Sequence, residues 1–240
     1  MQKLFIDFEP DRKIILNEEQ SRHISKSLRM KVGDMLTLSC GNGNDYGCII
    51  EAIDSKSVTL SVCYEQANNC EPTVKVKLYQ GVPKGDKLED IIQKCTELGI
   101  SKIQPVLTHR SVSRPDSKSA KKKQARYQKI ALEAAQQSGR GIVPEICEMT
   151  DLKTAVANDD SDLKILFYEG GGTPLKDIIN KNIKTVSIYI GPEGGFEENE
   201  VELIKENGGT VATLGKRILR TQTAPVAALT AIMLLTDNLK

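Results

Sequence analysis

The stretch Val186-Ser-Ile-Tyr-Ile-Gly-Pro-Glu-Gly-Gly-Phe196 decides the fold, because it runs from a strand directly into a glycine-rich turn. Its first five residues are β-branched or aromatic apart from Ser187, which is typical of a strand covered on both faces in an α/β sheet. The glycines of the turn allow a sharp bend and a close approach of a ligand to the backbone, since no Cβ is in the way. The stretch therefore predicts the floor of a ligand site.

Acidic residues follow this turn in the segment Glu197-Glu-Asn-Glu200. The helix dipole favours carboxylates in a first helical turn, and carboxylates there oppose the binding of a phosphate. The turn also lacks the G-x-G-x-x-G spacing, and the strand-end acid after it, that a dinucleotide-binding oxidoreductase would have. A nucleotide-binding oxidoreductase is therefore the weaker hypothesis.

Two further predicted strands end in unusual loops. One is Thr213-Leu-Gly-Lys-Arg-Ile-Leu-Arg-Thr-Gln-Thr-Ala224, a basic loop that enters an apolar helix, and the other is Tyr168-Glu-Gly-Gly-Gly172. If these strands lie beside 186–190 in a parallel sheet, the three loops form one pocket at the carboxyl edge of that sheet.

Strands and helices alternate from residue 73 onward, which predicts an α/β domain with a mostly parallel sheet. The expected strands are 74–80, 102–107, 163–168, 186–190 and 211–214. The expected helices are 86–98, 118–138, 151–157, 174–180, 197–207 and a terminal helix from 224.

Residues 1–70 have a different pattern, with short strands predicted at 4–6, 35–40, 46–53 and 58–64. Turn residues at 41–45 and 54–57 favour hairpins between the last three strands, and strands at this spacing predict a small β-barrel. Asn17 and Gln20 form a candidate capping box for a helix that extends to Leu28. A polar linker at 68–72 then separates a domain at 1–70 from a second domain at 73–240.

Composition excludes several classes of protein. With a net charge of +1, the chain is not a globally basic nucleic-acid binder, so affinity for RNA must come from local clusters. The opening residues resemble no signal peptide, and the apolar run 224–235 is shorter than the ~20 residues that span a bilayer. Six cysteines without a CxxC pair and two histidines outside ligand spacing predict no metal site.

Basic residues do cluster between His109 and Arg140, opposed only by Asp116 and Glu133. A lysine run such as 121–123 is more often a solvated helix face. The arginines at the predicted loop edges are better candidates for phosphate contacts. These are Arg110, Arg114 and Arg140.

GPEGGF at 191–196 and LGKRILRTQTA at 214–224 together resemble the RsmE-type 16S ribosomal RNA (uracil-N3) methyltransferases of the SPOUT superfamily. The resemblance extends over nearly the whole chain. It includes HISKSLRMKVGD at 23–34, GVPKGDK at 81–87, QKCTELGI at 93–100, THRSV at 108–112 and EAAQQSGRGIVP at 133–144. It implies a SPOUT-type sheet with a C-terminal trefoil knot, preceded by a small PUA-like β-barrel that binds RNA. Periodicity alone would argue against a knot, since threaded chains are rare.

The resemblance also implies that the knot binds S-adenosyl-L-methionine, with apolar walls from Ile218 and Leu219. Arg220 is the catalytic candidate, because a guanidinium near the pyrimidine oxygens would favour the deprotonated uracil. An ion pair or a contact with a C-terminal carbonyl near the knot is its alternative role. The implied cofactor contacts are Tyr168, Glu169, Ile190, Gly191, Glu193, Gly194, Gly195, Leu214, Gly215, Ile218, Leu219 and Arg220.

The implied partners are 16S ribosomal RNA in the small ribosomal subunit and a second copy of the chain, in the cytoplasm. Candidates for the RNA face of the PUA-like domain are Arg22, His23, Arg29 and Lys31, with packing on a helix surface as the alternative for His23 and Arg29. The residues that would complete the neighbouring subunit's site are Gln137, Ser138 and Arg140.

Two positions depart from the family's pattern: Gln222 and Gln136 stand where relatives usually have an acid. Because an amide does not ionise, a general base at residue 222 is doubtful, and the base stays unassigned. Two other functions remain open. One is an RNA-binding protein on an inactive knotted scaffold, and the other is a methyltransferase of another RNA such as transfer RNA.

Overall fold

The computed structural model describes residues 2–239, with Ser117 described by its backbone only. These residues form two compact units. The first consists of residues up to 71 together with 135–143, and the second consists of 72–134 and the residues from 144 onward. The return of 135–143 to the first unit is not foreseen by the sequence.

The first unit is built on a five-stranded sheet in the order β1-β3-β4-β5-β2. The β1–β3 pair is parallel and the other pairs are antiparallel. The hairpins predicted at 41–45 and 54–57 are present, whereas β2 was missed because three residues are too few to show an alternating pattern. The strands are β1 (Gln2–Phe5), β2 (Lys13–Ile15), β3 (Met35–Ser39), β4 (Asn44–Ile53) and β5 (Val58–Ala67).

One short helix packs with this sheet. Helix α1 (Glu18–Arg22) begins at Asn17, whose Oδ1 accepts a hydrogen bond from the Gln20 N–H at 2.9 Å. The return half of the predicted capping box is not formed, because within residues 2–239 the buried Gln20 Oε1 has no hydrogen-bond partner. A π-helical turn (His23–Ser27) then continues the helix close to the predicted end.

The second unit is built on an eight-stranded sheet in the order β11-β13-β10-β12-β6-β7-β8, with β9 also paired to β7. The described pairs are all parallel, which confirms the predicted sheet. Its strands are β6 (Lys75–Gly81), β7 (Lys102–Leu107), β8 (Glu145–Ile146), β9 (Thr150–Asp151), β10 (Leu163–Phe167), β11 (Thr173–Pro174), β12 (Thr185–Ile190) and β13 (Gly209–Thr213). The helices are α2 (Lys87–Glu97), α3 (Ser117–Gln137), α4 (Leu152–Ala157), α5 (Glu198–Glu206) and α6 (Thr223–Leu235).

The helix predicted at 174–180 is wrong. Thr173 and Pro174 pair with β13 as strand β11, and Pro174 is extended with ψ 134°. Only one 3₁₀ turn follows, Leu175–Asp177. Pro174, the first residue of the predicted helix, therefore pairs in a strand at the edge of the sheet instead.

Strand β12 lies inside the sheet, as its composition predicts, and its residues 186–190 are all buried. On one face, Tyr189 joins a core cluster with residues of α4 and α5. The opposite face packs against α6, which also contacts α2. Helices thus cover both faces of the strand that leads to the glycine-rich turn. Within the described chain, no helix combines the length and apolar composition needed to cross a bilayer.

Candidate active site

The three predicted loops lie at one edge of the sheet, because β13, β10 and β12 are neighbours. Together they line a cavity of about 740 Å³. Parallel strands place all their carboxyl ends at the same edge, and that edge of an α/β sheet is the usual place for a ligand. The sequence predicted one pocket on the condition that these three strands are neighbours, and the structure meets that condition.

Every predicted cofactor residue except Gly194 lines this cavity. A Cβ on Gly194 would lie 3.2 Å from Cδ of Arg110, on the side away from the cavity lining. Gly195 has φ +69°, and its Cβ would lie 3.4 Å from the carboxylate of Glu169, which also lines the cavity. A side chain at Gly195 would therefore contact a residue of the cavity wall.

The turn is folded tightly on itself and against the end of β6. A Cβ on Gly191 would lie 2.9 Å from Cα of Gly195, and a Cβ on Gly81 would lie 2.5 Å from Cδ of Pro192. The N–H of Gly195 donates to the Pro192 carbonyl at 3.0 Å. The glycines are therefore needed for backbone packing as well as for ligand access.

Glu193 is held by basic and backbone donors at the rim of the cavity. Its carboxylate accepts from Lys87 Nζ at 2.5 Å and from the Lys84 N–H at 3.1 Å. Burial by itself would raise the pKa of Glu193, but these hydrogen bonds hold the pKa below its ordinary value. The carboxylate is therefore ionised at neutral pH, and it fixes the middle of the turn.

The acidic segment after the turn begins helix α5. Glu197 and Glu200 form a reciprocal capping box, and Glu200 also accepts from the His109 N–H at 2.8 Å. His109 Nδ1 lies 2.9 Å from the Glu197 carboxylate, and Arg110 Nη1 donates to the Gly194 carbonyl at 2.6 Å. These acids therefore cap the start of α5.

Arg220 lies in the loop between β13 and α6, where its side chain is exposed and lines the cavity. In the described part of the chain, no carboxylate is within ion-pair distance of its guanidinium, so the alternative ion-pair role has no partner there. Gln222 also lines the cavity and does not ionise. Across residues 2–239, no cluster of three His, Cys, Asp or Glu is arranged to hold a metal ion.

Sequence reasoning missed part of the cavity wall. Lys87 belongs to the GVPKGDK segment, and the exposed Lys216 and Arg217 belong to the basic loop before α6. Their position in these segments was the signal in the sequence that could have identified them as lining residues. The unpredicted lining residues are Lys87, Phe167, Gly170, Gly171, Pro192, Phe196, Ala212, Thr213, Lys216, Arg217, Thr221, Gln222 and Ala224.

The predicted RNA candidates are mostly exposed. His23, Arg29 and Lys31 are exposed, and Arg22 forms only a surface pair with Glu18 at 3.5 Å. Arg29 has a positive φ of 53°, which costs energy for a residue with a Cβ. Arg110 and Arg114 each hydrogen-bond a backbone carbonyl, of Gly194 and Thr108 respectively.

Arg140, which was predicted as a phosphate contact at the edge of a loop, is a buried residue. Arg140 is 3% exposed, and its guanidinium forms two hydrogen bonds with the Glu71 carboxylate. The sequence shows that Arg140 is a charged residue in a loop, but it does not show that the side chain is buried and paired with Glu71. Gln137 is exposed and Ser138 is half-buried in the same segment, and their contribution to a partner's site stays a prediction.

Two family models match the chain. A model described as an RNA methyltransferase domain matches residues 69–233, and one described as an RNA methyltransferase PUA domain matches residues 16–63. Ribosomal RNA small subunit methyltransferase E of Bacillus subtilis is 37% identical over 253 residues, which cover 100% of this chain and 99% of the relative. Because the PUA-domain model matches residues 16–63, the five-stranded sheet of the first unit belongs to a PUA-like domain.

Solved structures agree with this match. Ribosomal RNA small subunit methyltransferase E of Neisseria gonorrhoeae, bound to S-adenosyl methionine, superposes with a TM-score of 0.91 at 29% identity, covering 98% of each chain. A Legionella pneumophila methyltransferase in complex with its bound cofactor SAM has a TM-score of 0.89 at 29% identity, covering 97% of this chain and 96% of that one. Because the family models and a relative at 37% identity together cover the glycine-bearing loops and the first-unit sheet, the chain belongs to the RsmE-type ribosomal RNA small subunit methyltransferase family.

Proposed function

We propose that the protein transfers the methyl group of S-adenosylmethionine to N3 of one uridine in 16S ribosomal RNA. The observation that carries this proposal is the cavity formed by three glycine-bearing loops, in a chain of this family. On its wall lies Arg220, which has no carboxylate partner among the residues that the structure describes. Relatives of the chain are named ribosomal RNA small subunit methyltransferases, and two related structures hold the bound cofactor.

The cavity suits a ligand of the size and chemistry of S-adenosylmethionine. Its volume of about 740 Å³ lies in the range of small-molecule sites. Gly195 brings backbone without a Cβ to the cavity wall, and the carboxylate of Glu169 on the same wall offers acceptors to ribose hydroxyls. Leu214, Ile218 and Leu219 supply apolar surface for an adenine ring. The deep knot implied by the family resemblance would hold these loops together.

When bound, the cofactor supplies an activated sulfonium methyl group. The remaining work of the protein is to place uracil N3 in line with that methyl group and to favour loss of the N3 proton. An unpaired guanidinium at Arg220 is suited to stabilise charge on the pyrimidine oxygens as the proton leaves. Positioning and electrostatics are therefore the main contributions of this chain, and the base stays unassigned.

The preferred substrate is an assembled small-subunit particle in the cytoplasm. A chain with a net charge of +1 gains little from a free polyanion, whereas a folded particle presents phosphates at fixed spacing to several basic patches. The candidate phosphate contacts are exposed residues: Arg22, His23, Arg29 and Lys31 in the first unit, and Arg110 and Arg114 in the second.

We further propose that the protein works as a two-fold homodimer, with Gln137 and Ser138 helping to complete the partner's site. Helix α6 buries Leu229, Ile232 and Met233 within its own chain, but Leu234 remains 59% exposed. The half-buried Val226 and Leu235 extend this apolar surface. Light scattering at micromolar concentration should show a dimer, and a monomer alone would contradict the proposal.

The test of the reaction uses cofactor labelled in its methyl group and ribosomal particles that lack the modification. Digestion and mass spectrometry should place the label on N3 of a uridine in the small-subunit RNA. Label on a cytidine, on a ribose oxygen or on transfer RNA alone would overturn the substrate. Cofactor binding without transfer to any RNA would favour an RNA-binding scaffold.

A further inference from the structure

Gln80 lies near the end of β6 with a side chain that is fully buried, and it is not part of the cavity wall. Its Nε2 lies 3.0 Å from Thr221 Oγ1, 3.3 Å from the Gly191 carbonyl and 3.0 Å from the Gly81 carbonyl. Thr221 Oγ1 in turn lies 2.8 Å from the Gly191 carbonyl. One amide therefore contacts segments that are far apart in sequence.

The direction of each hydrogen bond in this cluster follows from which of its atoms can only accept. Thr221 has a single hydroxyl hydrogen, and because the Gly191 carbonyl only accepts, that hydrogen is donated to Gly191. Thr221 Oγ1 must then accept from Gln80. The opposite orientation of the Gln80 amide would place its oxygen against the Gly81 and Gly191 carbonyl oxygens, which is repulsive. The order of donation is thus Gln80 to Thr221 to Gly191.

These hydrogen bonds join the two loops that the proposed reaction needs. Gly191 opens the glycine-rich turn, and Thr221 follows Arg220 directly in the chain. The Arg220 carbonyl also accepts from the N–H groups of Thr223 and Ala224 at the start of α6, at 2.8 and 2.9 Å. The backbone of Arg220 is therefore held by the start of α6, and the Gln80 amide bonds the side chain of the next residue, Thr221.

We propose that Gln80 is a positioning residue, whose amide sets the placement of Arg220 relative to the glycine-rich turn. It acts through Thr221 and does not touch the ligand. Hydrogen bonds between buried groups are stronger than those exposed to solvent, since water does not compete for them. This inference rests on the proposed function, because it takes Arg220 as the residue that meets the uracil.

The main test is Gln80→Met, which keeps the length of the side chain and removes both donors. In this variant only the Thr221 hydrogen bond to Gly191 is left of the cluster, so the Arg220 loop is held less firmly against the turn. The kcat should then fall by roughly tenfold or more, because small misplacements of reacting groups cost rate steeply. The KM for RNA should stay at the wild-type value, since Gln80 is far from exposed surface. The rate is expressed per cofactor-binding site titrated by calorimetry, so that a partly unfolded sample does not imitate a slow enzyme.

Gln104→Met is the matched control. Gln104 lies on the neighbouring strand β7, and its Nε2 also donates to backbone carbonyls, of Pro105 and Glu148. It has no contact with the glycine-rich turn or with Thr221 among its hydrogen bonds, so its replacement should leave kcat unchanged. An equal fall in kcat for both variants would show a general effect on the sheet and overturn the proposal.

Thr221→Val interrupts the same chain of hydrogen bonds at its second member and keeps the side-chain volume. It should lower kcat as Gln80→Met does, and the double variant should lower kcat no further than either single change. Additive losses would contradict one shared network. If Gln80→Met does not fold, wild-type turnover in Thr221→Val alone would overturn the proposal. Absence of methyl transfer by the wild-type protein would instead count against the proposed function.

Discussion

The guanidinium of Arg140 meets the carboxylate of Glu71 through two hydrogen bonds, Nε to Oε1 at 3.2 Å and Nη2 to Oε2 at 2.7 Å. Glu71 also accepts from the N–H groups of Gly141 and Ile142, at 3.0 and 3.1 Å. The Arg140 side chain is 4% exposed and that of Glu71 is 20% exposed. This pair holds the segment 135–143 in the first unit.

Replacing Glu71 by Ala should destabilise the protein strongly, because it leaves a buried guanidinium without its carboxylate. Removing one partner of a buried ion pair costs about 3–5 kcal/mol. Chemical unfolding followed by circular dichroism measures the change. Glu18→Ala is the control, since it breaks only the exposed pair with Arg22 and should change the free energy of unfolding by less than ~1 kcal/mol. Equal stability of the two variants would contradict the structural role of Arg140.

Gly195→Val should abolish cofactor binding while the protein stays folded. At φ +69° a side chain is strained, and a Cβ at this position would contact the carboxylate of Glu169, which lines the cavity. Calorimetric titration with S-adenosylmethionine checks the result. Gly194→Ala is the comparison, because its Cβ meets Arg110 instead of the cavity, and it should weaken binding much less. A well-folded Gly195→Val protein with wild-type affinity would contradict the assignment of the cavity.

Arg220→Ala should lower kcat for methyl transfer far more than it lowers cofactor affinity. The proposed partner of Arg220 is charge that develops on the uracil, so the contact strengthens only in the transition state. Losing one such donor costs about 100-fold in kcat or more. The measurement pairs single-turnover rates with calorimetric affinity. Arg126→Ala, which breaks the surface pair with Glu89, should keep both at wild-type values. A parallel loss of affinity and rate would make Arg220 a cofactor ligand only.

Changing Arg29 and Lys31 together to Gln should weaken binding to ribosomal particles and flatten its salt dependence. Each phosphate contact that is removed lowers the slope of log affinity against log salt by about 0.7–0.9. These two residues suit the test better than Arg110, because Arg110 also donates to the Gly194 carbonyl in the glycine-rich turn. A change at Arg110 would therefore alter the cofactor site as well as the RNA surface. Filter binding at several salt concentrations measures the slope, and an unchanged slope would mean that the RNA surface lies elsewhere. Cofactor affinity should be unaffected.

Glu193 makes a pH-dependent contribution to stability. Its pKa in the folded protein lies below its ordinary value, so its hydrogen bonds with Lys87 and Lys84 stabilise the fold above that ordinary pKa and are lost as the pH falls through the lowered one. Unfolding experiments across the acid range should therefore show Glu193→Gln less stable than wild type near neutral pH. The two curves should converge toward low pH. A difference that grows on acidification would contradict this sign.

Local patterns in the sequence determined the elements that carry the site. Strand β12 follows from a run in which every residue except Ser187 is β-branched or aromatic, and the start of α5 follows from the acids after Phe196. Such features depend on contacts within a few residues, so they can be inferred without knowing the fold. The same patterns placed the β10 and β13 loops at strand ends, which is why nearly all of the predicted cofactor residues line one cavity.

Tertiary structure alone decided which chain segments face one another. The chain order does not reveal that β13 and β12 flank β10, nor that Thr173 and Pro174 join the sheet instead of opening a helix. From the sequence alone Arg140 is a candidate phosphate ligand, and only the structure shows that it is buried and paired with Glu71. Likewise, only the structure shows that the strand residue Gln80 contacts Gly191 and Thr221. Burial and hydrogen-bond partners arise from contacts between residues far apart in sequence, and they decide whether a polar side chain binds a ligand or holds the structure together.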